Sequence, residues 1–266
     1  MSNKCELKYM TWREVDEAFR SDCTVVLPMG SMEVHGPHSP VGDFIAAEEV
    51  AVEAAKRTGA YVLPVVPFGV SEYFRGFPGT VSVQNSTLGN WVSDVLDCLL
   101  EHGVSKILLL NGHGGNAAVL EQISRRIRRE KGLIVPRLDM WQATPVSLKK
   151  EIYGEDYAKT GHGGGTVDTV MQYRHPEAMR MDLYDAGEQR RERWEAFPLC
   201  GLGKTKVNGA PGFLPINMED ISDQGSLGAP LLGTPEGGKK VFDFLVDCCA
   251  EFIEMIQKSD MKLKKG

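Results

Sequence analysis

The first half of the chain alternates between short apolar runs and longer segments in which apolar residues recur at helical spacing. The runs predict strands at 24–29, 61–66, 106–110 and 132–138. The segments between them predict helices at 44–57, 86–102 and 117–131. Because strands and helices alternate with short connections, the pattern predicts an α/β fold with a mostly parallel sheet, flanked by helices on both faces.

The second half of the chain has a weaker pattern. A glycine-rich turn at 160–168 leads into a predicted helix near 170–174. Residues 197–235 are rich in Gly, Pro, Asn and Asp, which predicts long loops of the kind that form site walls or subunit contacts. Thr234 is predicted as the N-cap of a last helix that ends near Lys258. No internal repeat or low-complexity block is visible, so we predict one domain over residues 1–266.

Composition and charge narrow the class of protein. Of the 266 residues, 42% are hydrophobic and 25% are charged, and the net charge is −6, as in ordinary globular proteins. The lack of a basic field argues against a nucleic-acid partner. We expect a cytoplasmic protein with no membrane partner, since the chain has no bilayer-length apolar run and no signal-peptide pattern at its N-terminus. The cysteines form no C-x-x-C pair, and we interpret Cys248 and Cys249 as reduced packing residues.

A polar segment, GSMEVHGPH at 30–38, directly follows the first predicted strand. Glu33 and His35 are two positions apart, so in an extended backbone they point to the same side. The glycine and proline that follow bend the chain and allow Asp43 to return toward them. Two carboxylates and an imidazole suit a divalent metal that activates water. The alternative interpretation is a polar turn with solvated side chains.

A second polar segment, NGHGGN at 111–116, follows the strand predicted at 106–110. Its glycines let the backbone turn sharply and approach a ligand, and His113 would project at the carboxyl end of the strand. Ligands of open parallel sheets bind beyond these strand ends. The alternatives are a structural histidine or a phosphate loop, but the glycine spacing differs from G-x-G-x-x-G and no P-loop lysine is present.

Two further segments complete the candidate site. In GHGGGTVDT at 161–169, His162 precedes Asp168, which is either a helix cap or a contact to metal or substrate. The segment at 68–80, FGVSEYFRGFPGT, mixes aromatic and polar residues and predicts a pocket wall or, alternatively, a surface loop. The predicted substrate contacts are Glu72, Tyr73, Arg75 and Trp141.

Three motifs, in this order and separation, resemble the creatininase (creatinine amidohydrolase) family. They are EVHGPH at 33–38, FPGT at 77–80 and NGHGGN at 111–116. The similarity covers residues 20–145 well and continues more weakly through the turn at 161–169 and GTPE at 233–236. The resemblance implies a parallel sheet with flanking helices, a dinuclear metal site and a homo-oligomer, commonly a hexamer.

The resemblance also implies a role for each matching residue. Glu33, Asp43 and His113 would hold one metal ion, while His35 and Asp43 would hold the second, with Asp43 as the bridge. A bridging hydroxide would attack the electrophilic carbon, because metal ions lower the pKa of bound water. These ligand types suit zinc, manganese or iron, with two divalent transition-metal ions per chain.

The chain departs from the family's pattern at three places. The loop between Glu33 and Asp43 is one residue shorter, and Gly115 stands where creatininase proper has a glutamate. The family's His-Ala-Gly-Glu-x-Glu-Thr stretch is replaced by HGGGTVDT, in which we predict Asp168 as a metal ligand in the place of the last glutamate. These changes put creatinine in question as the substrate, while the other predicted metal ligands are retained.

We therefore predict a metal-dependent hydrolase that opens a small polar cyclic substrate by attack of metal hydroxide on a carbonyl. The bond is the C–N bond of a cyclic amide, or a C–C bond in a keto-inositol such as 3-dehydro-scyllo-inosose, as in inositol catabolism. His162 or His38 is the predicted proton donor to the leaving group, since imidazole titrates near neutrality. The alternatives are a deformylase or peptide-trimming member of the same family, a non-catalytic metal- or ligand-binding protein, and a nucleotide-binding protein.

Overall fold

The computed structural model describes residues 4–184 and 197–263 of the chain. The elements of the first half are α1 (Trp12–Arg20), β1 (Thr24–Met29), α2 (Phe44–Thr58), β2 (Tyr61–Val62), α3 (Asn85–Glu101), β3 (Lys106–Asn111), α4 (Ala117–Lys131) and β4 (Arg137–Asp139). The elements of the second half are α5 (Met140–Ala143), α6 (Val146–Tyr153), α7 (Thr166–Arg174), β5 (Leu199–Gly201), β6 (Lys204–Val207), β7 (Ala210–Phe213), α8 (Met218–Ile221) and α9 (Pro235–Gln257). Among the described residues, no helix combines the length and the apolar character needed to cross a bilayer.

The strands of the first half form one parallel sheet in the order β2–β1–β3–β4, with helices on both faces. Successive side chains of a strand point to opposite faces. On one face, Val26 and Leu108 pack with residues of α2, α7 and α9. On the other face, Val25 and Ile107 pack with residues of α3 and α4. The predicted parallel sheet with helices on both faces is therefore confirmed.

Two predicted strands are shorter in the structure, and a proline accounts for each difference. The segment predicted at 61–66 forms a continuous strand only over β2 and meets β1 again in a single bridge at Val66, because Pro64 between them has no N–H to donate to the ladder. The segment predicted at 132–138 pairs with β3 only from Arg137, which directly follows Pro136. The sheet thus narrows at its edges, while β1 and β3 pair along their full length.

The prediction of long loops over 197–235 is wrong in part. Strands β5, β6 and β7 of this region form a separate antiparallel sheet. The loop between β6 and β7 is Asn208–Gly209, and both residues have positive φ. An Asn-Gly pair in this conformation favours a tight hairpin turn. The Asn-Gly pair is a sequence signal for a hairpin, but the abundance of Gly, Pro, Asn and Asp in this region made it resemble a loop.

The cysteines of α9 pack as the sequence predicts. Cys249 is buried in the core between α9 and the sheet, and Cys248 lies half-buried beside it. Burial raises the pKa of Cys249 to about 12, so its thiol stays protonated at neutral pH. The side chain of Cys200 lies outside the described residues.

Helix α9 begins as the sequence predicts, because the Thr234 side chain accepts a hydrogen bond from the Gly237 amide at 3.1 Å. Thr234→Ala removes this acceptor, and we expect the free energy of unfolding in urea to fall by about 1 kcal/mol. Ser259→Ala is the control, since this exposed hydroxyl follows the end of the same helix. We expect the control to change stability by less than about 0.5 kcal/mol. Equal losses in both variants would contradict the capping role.

Candidate functional site

The two polar motifs leave the sheet side by side. Strands β1 and β3 are parallel neighbours that end in register. Beyond their ends, the Gly112 amide donates a hydrogen bond to the Met29 carbonyl at 2.7 Å. The chain after β1 carries Glu33 and His35 to the edge of the sheet at which His113 follows β3. The structure thus brings together the segments that the sequence predicts to meet there.

One cluster of buried side chains consists of Glu33, Asp43 and His113. The Nδ1 atom of His113 lies 2.9 Å from Asp43 Oδ2 and 3.3 Å from Glu33 Oε1. One ligand atom from each residue lies within 4.8 Å of the others, so that a single metal ion could contact all three. The Ser31 amide donates a hydrogen bond to Asp43 Oδ1 at 2.6 Å and fixes that carboxylate.

The charges of this cluster favour a bound cation. Burial opposes protonation of His113, but Glu33 and Asp43 outweigh burial and raise the pKa of His113 well above its ordinary value. Burial alone would raise the pKa of Glu33, whereas the charge of His113 lowers it to about 2. Burial raises the pKa of Asp43. A divalent ion would favour the ionised form of both acids and neutralise their charge, and this set of two carboxylates and one imidazole suits zinc or manganese.

Hydrogen bonds to the backbone orient His113. Its Nε2 atom lies 2.9 Å from the Val70 carbonyl oxygen, so the Nε2 N–H donates to this oxygen. Nδ1 is thereby directed at the two acids, where it would give up its proton on binding a metal ion. Histidines that bind metals commonly hold their second nitrogen in this way. The His113 amide donates to Asn111 Oδ1 at 3.2 Å. Asn116 Nδ2 donates to the Gly30 carbonyl at 3.1 Å. The two asparagines of NGHGGN therefore brace the histidine loop.

A second cluster consists of Glu33, His35 and His162, whose ligand atoms also lie within 4.8 Å of one another. The His162 ring stacks between His35 and Phe74, with centroid distances of 4.5 and 4.2 Å. Its Nε2 atom lies 2.6 Å from the Val34 carbonyl oxygen, which leaves Nδ1 available to a metal. Burial, reinforced by His35, lowers the pKa of His162 to about 4, so the ring is neutral near pH 7. A neutral imidazole suits a metal ligand better than a proton donor.

The acid that the two clusters share is Glu33. The family resemblance implies Asp43 as the bridging ligand instead. In the structure, Asp43 Oδ1 accepts the Ser31 amide, and Oδ2 faces His113 of the first cluster. The predicted ligands Glu33, His35, Asp43 and His113 therefore lie together, with the shared position taken by a different acid.

Both clusters line one cavity of about 490 Å³. Tyr73, Phe74 and Trp141 form aromatic parts of its wall. The Trp141 indole N–H donates to the Gly112 carbonyl at 2.5 Å, which fixes the ring beside the histidine loop. Two of the predicted substrate contacts, Tyr73 and Trp141, are thus in a position to touch a bound molecule.

The other two predicted substrate contacts, Glu72 and Arg75, do not line the cavity. Both side chains are exposed, and Arg75 Nη1 donates to Glu72 Oε1 at 3.0 Å. The short 3-10 turn over Glu72–Phe74 directs them outward while it directs Phe74 into the core. The predicted loop does reach the cavity, but the sequence did not resolve which of its side chains face inward.

Asp168 and His38 lie outside the cavity lining. Asp168 belongs to neither metal cluster among the described residues, and its Oδ2 atom accepts the Gly165 amide at 3.4 Å as a cap of α7. Helix α7 begins at Thr166, earlier than predicted, which places Asp168 in its first turn. His38 is fully buried with its Nε2 atom 4.0 Å from Asp168 Oδ1. Proton transfer from His38 to a substrate has no direct path in this arrangement.

Ser71 is a residue of the site that sequence reasoning missed. Its hydroxyl donates to Glu33 Oε2 at 2.8 Å and lies 3.2 Å from His113 Nε2. The Ser31 hydroxyl lies 2.6 Å from the Ser71 hydroxyl. Ser71 thus holds the acid that both clusters share. No motif marks it, because its position depends on how the loop after β2 folds back over β1.

Gly115, which stands where creatininase proper has a glutamate, has no room for a side chain. A Cβ atom there would overlap the Val70 carbonyl oxygen and lie 2.7 Å from His113 Nε2. We expect Gly115→Ala to displace this carbonyl from His113 and to weaken metal binding about 10- to 100-fold, as loss of an outer partner does. The measurement is competition with a chromophoric chelator.

Gly114→Ala is the matched control for this prediction. A Cβ atom at Gly114 would meet nothing within 4 Å, so metal affinity should be unchanged. If both variants kept wild-type affinity, the carbonyl contact of His113 would not matter to metal binding. The same clash makes Gly115→Glu a poor route to a fuller second metal site.

Three relatives carry different activities in their names. The creatinine amidohydrolase of Pseudomonas putida is 28% identical over 198 residues, 68% of this chain and 76% of the relative. The mycofactocin precursor peptide peptidase of Mycolicibacterium smegmatis is 29% identical over 246 residues, 88% of this chain and 85% of the relative. The 3-dehydro-scyllo-inosose hydrolase of Thermotoga maritima is 33% identical over 107 residues, 40% of this chain and 34% of the relative.

A structural superposition and a family model that spans nearly the whole chain agree with these similarities. The structure of a manganese creatininase superposes with a TM-score of 0.77 over 95% of this chain and 98% of that chain, at 21% identity. This likeness confirms the predicted fold. The family model described as creatinine amidohydrolase matches residues 8–253, which is nearly the whole chain. The chain is therefore a member of the creatininase family of hydrolases.

Proposed function

We propose that this chain is a metal-dependent hydrolase that opens a small polar cyclic substrate at a carbonyl group. The observation that carries the proposal is that two ligand clusters share Glu33 and line a single cavity. When bound there, divalent ions lower the pKa of water toward neutrality and polarise a carbonyl. The ligand set accepts zinc, manganese or iron, with two ions per chain.

The protein's own residues hold and orient the reacting groups in this proposal. Ser71 fixes the shared acid Glu33, and the Val70 carbonyl fixes the ring of His113. Tyr73, Phe74 and Trp141 present aromatic surface to the cavity, which suits the face of a compact ring and excludes water from it. We assign His162 to metal binding rather than to proton transfer, because it joins the second cluster as a neutral imidazole.

The bond that is cleaved is either the C–N bond of a cyclic amide or a C–C bond beside the ketone of a keto-inositol. The similarity to creatinine amidohydrolase supports the first, and the similarity to 3-dehydro-scyllo-inosose hydrolase supports the second. A screen of both classes decides between them. Protein loaded with zinc, manganese or iron is incubated with creatinine, other cyclic amides and keto-inositols, and the uptake of one water is followed by mass spectrometry.

We expect one class to be hydrolysed at a rate that disappears on chelation and returns when metal is added. Metal-free protein is the control. If fully loaded protein opens no ring of either class, the ring-opening proposal is wrong. Metal content by elemental analysis then separates the remaining alternatives, since a non-catalytic binding protein needs only one ion or none.

The second candidate is a peptide-trimming hydrolase. The peptide peptidase covers more of this chain than the other two relatives do, and this observation favours the candidate. It predicts that loaded protein shortens peptides from one end and leaves small rings intact, which the same mass spectrometry measures. We further propose a homo-oligomer, a hexamer by family resemblance, whose mass in solution is measured by light scattering.

A further inference from the structure

The cavity carries positive charge that the metal clusters do not explain. Lys149 of α6 and Lys204 of β6 both line it. Lys149 is half-buried and Lys204 is exposed. Within residues 4–184 and 197–263, neither ammonium group has a hydrogen-bond or ion-pair partner. Other lysines of the region are neutralised, as Lys240 is by Glu151 of α6.

The acids of the cavity do not neutralise these lysines. Among the described lining residues the carboxylates are those of Glu33 and Asp43, and both face His113 in the first cluster. Divalent ions in the clusters would consume this negative charge entirely. The loaded cavity therefore keeps the charges of two unpaired lysines in its lining, and such positive charge attracts an anion.

The start of α7 lines the same cavity and also bears on its potential. Thr166 and Val167, the first residues of α7, also line the cavity. The first N–H groups of a helix have no partner within the helix and carry partial positive charge. Asp168 accepts only the Gly165 amide at this helix end. The Asp168 carboxylate in this first turn offsets that partial charge, so the attraction for an anion rests on the two lysines.

We propose that the substrate of this hydrolase carries a carboxylate, which Lys149 and Lys204 bind while the carbonyl to be attacked lies at the metal clusters. The inference rests on the proposed hydrolytic function and deepens it. Creatinine and keto-inositols carry no carboxylate, so the preferred substrate differs from both in charge. A cyclic amide with a carboxylate on or beside its ring has the required chemistry.

The test compares matched pairs of small molecules that differ by one carboxylate. The pairs are 5-oxoproline with 2-pyrrolidinone, dihydroorotate with dihydrouracil, and hydantoin-5-acetate with 5-methylhydantoin. Binding to zinc-loaded protein is measured by titration calorimetry. We expect the acid of at least one pair to bind about tenfold more tightly than its neutral partner, a preference that weakens as salt is raised.

Two double variants separate the lysines from the metal, which could itself bind a carboxylate. Lys149→Met with Lys204→Met should abolish the preference for the acid and retain metal content. Lys150→Met with Lys206→Met is the matched control on the same helix and strand, and neither of these lysines lines the cavity. The control should keep the preference. The inference is overturned if no pair prefers the acid, or if the preference survives in the first double variant.

This design distinguishes failure of the carboxylate inference from failure of the proposed hydrolysis. If the acids bind through the two lysines but no ring opens, the anion site stands and the proposed hydrolysis is wrong. If neutral rings open at equal rates in wild-type protein and the Lys149→Met/Lys204→Met variant, and the acids bind no better, the hydrolysis stands and the carboxylate inference is wrong.

Discussion

His113→Ala is expected to abolish metal binding at the first cluster and, with it, hydrolysis. The imidazole lies within 3.3 Å of Glu33 Oε1 and within 2.9 Å of Asp43 Oδ2. Without it, Asp43 loses its imidazole partner, Glu33 keeps the more distant His35 at 3.7 Å, and the first metal ion keeps two side-chain ligands. We expect the hydrolysis rate to fall by more than about 100-fold, beyond the effect of losing an outer partner. Elemental analysis should show the loss of at least one ion per chain.

The same substitution should destabilise the metal-free protein. Removing one partner of a buried charged cluster costs roughly 3–5 kcal/mol, which urea unfolding measures. His102→Ala is the control, because His102 is exposed at the end of α3 and outside the cavity. It should keep metal, activity and stability. Normal metal content with full activity in His113→Ala would rule out the metal site at this edge of the sheet.

The position of the candidate site at this edge of the sheet could be predicted, because it depends on local sequence patterns. The apolar runs of β1 and β3 are short, end at glycines, and are separated by helical segments, so their carboxyl ends fall at one edge. Glu33, His35 and His113 follow directly from these ends. Asp43 joins them because α2 begins just after it, beside the same edge.

The rest of the site depends on tertiary packing that no local pattern encodes. Ser71 reaches Glu33 across 38 positions of the chain, and serines in loops have no distinguishing spacing. Lys149 and Lys204 come from elements far apart in sequence. The roles of His162 and Asp168 depend on how the turn before α7 folds, since it carries His162 to the second cluster and leaves Asp168 in the first turn of the helix. The single domain over residues 1–266 and the oligomer stay predictions.

His162→Ala distinguishes a metal ligand from a proton donor. His162 forms the second cluster with Glu33 and His35, and it does not belong to the first cluster. We expect the variant to lose one of two ions and to keep the ion held by His113. The rate should fall by more than about 100-fold, as for a lost ligand. Phe74→Leu is the control, since it removes the ring stacked at 4.2 Å from His162 but no ligand atom. It should keep both ions.

Metal content decides between the two roles because they predict opposite stoichiometry. A proton donor that binds no metal can be removed without loss of either ion, so two ions in inactive His162→Ala would make His162 a proton donor and contradict the second cluster. The low pKa of His162, about 4, already opposes that outcome. The ring is neutral near pH 7, and its one N–H, on Nε2, is engaged in a hydrogen bond to the Val34 carbonyl. One ion in the variant, with two in the Phe74→Leu control, is the result that the geometry requires.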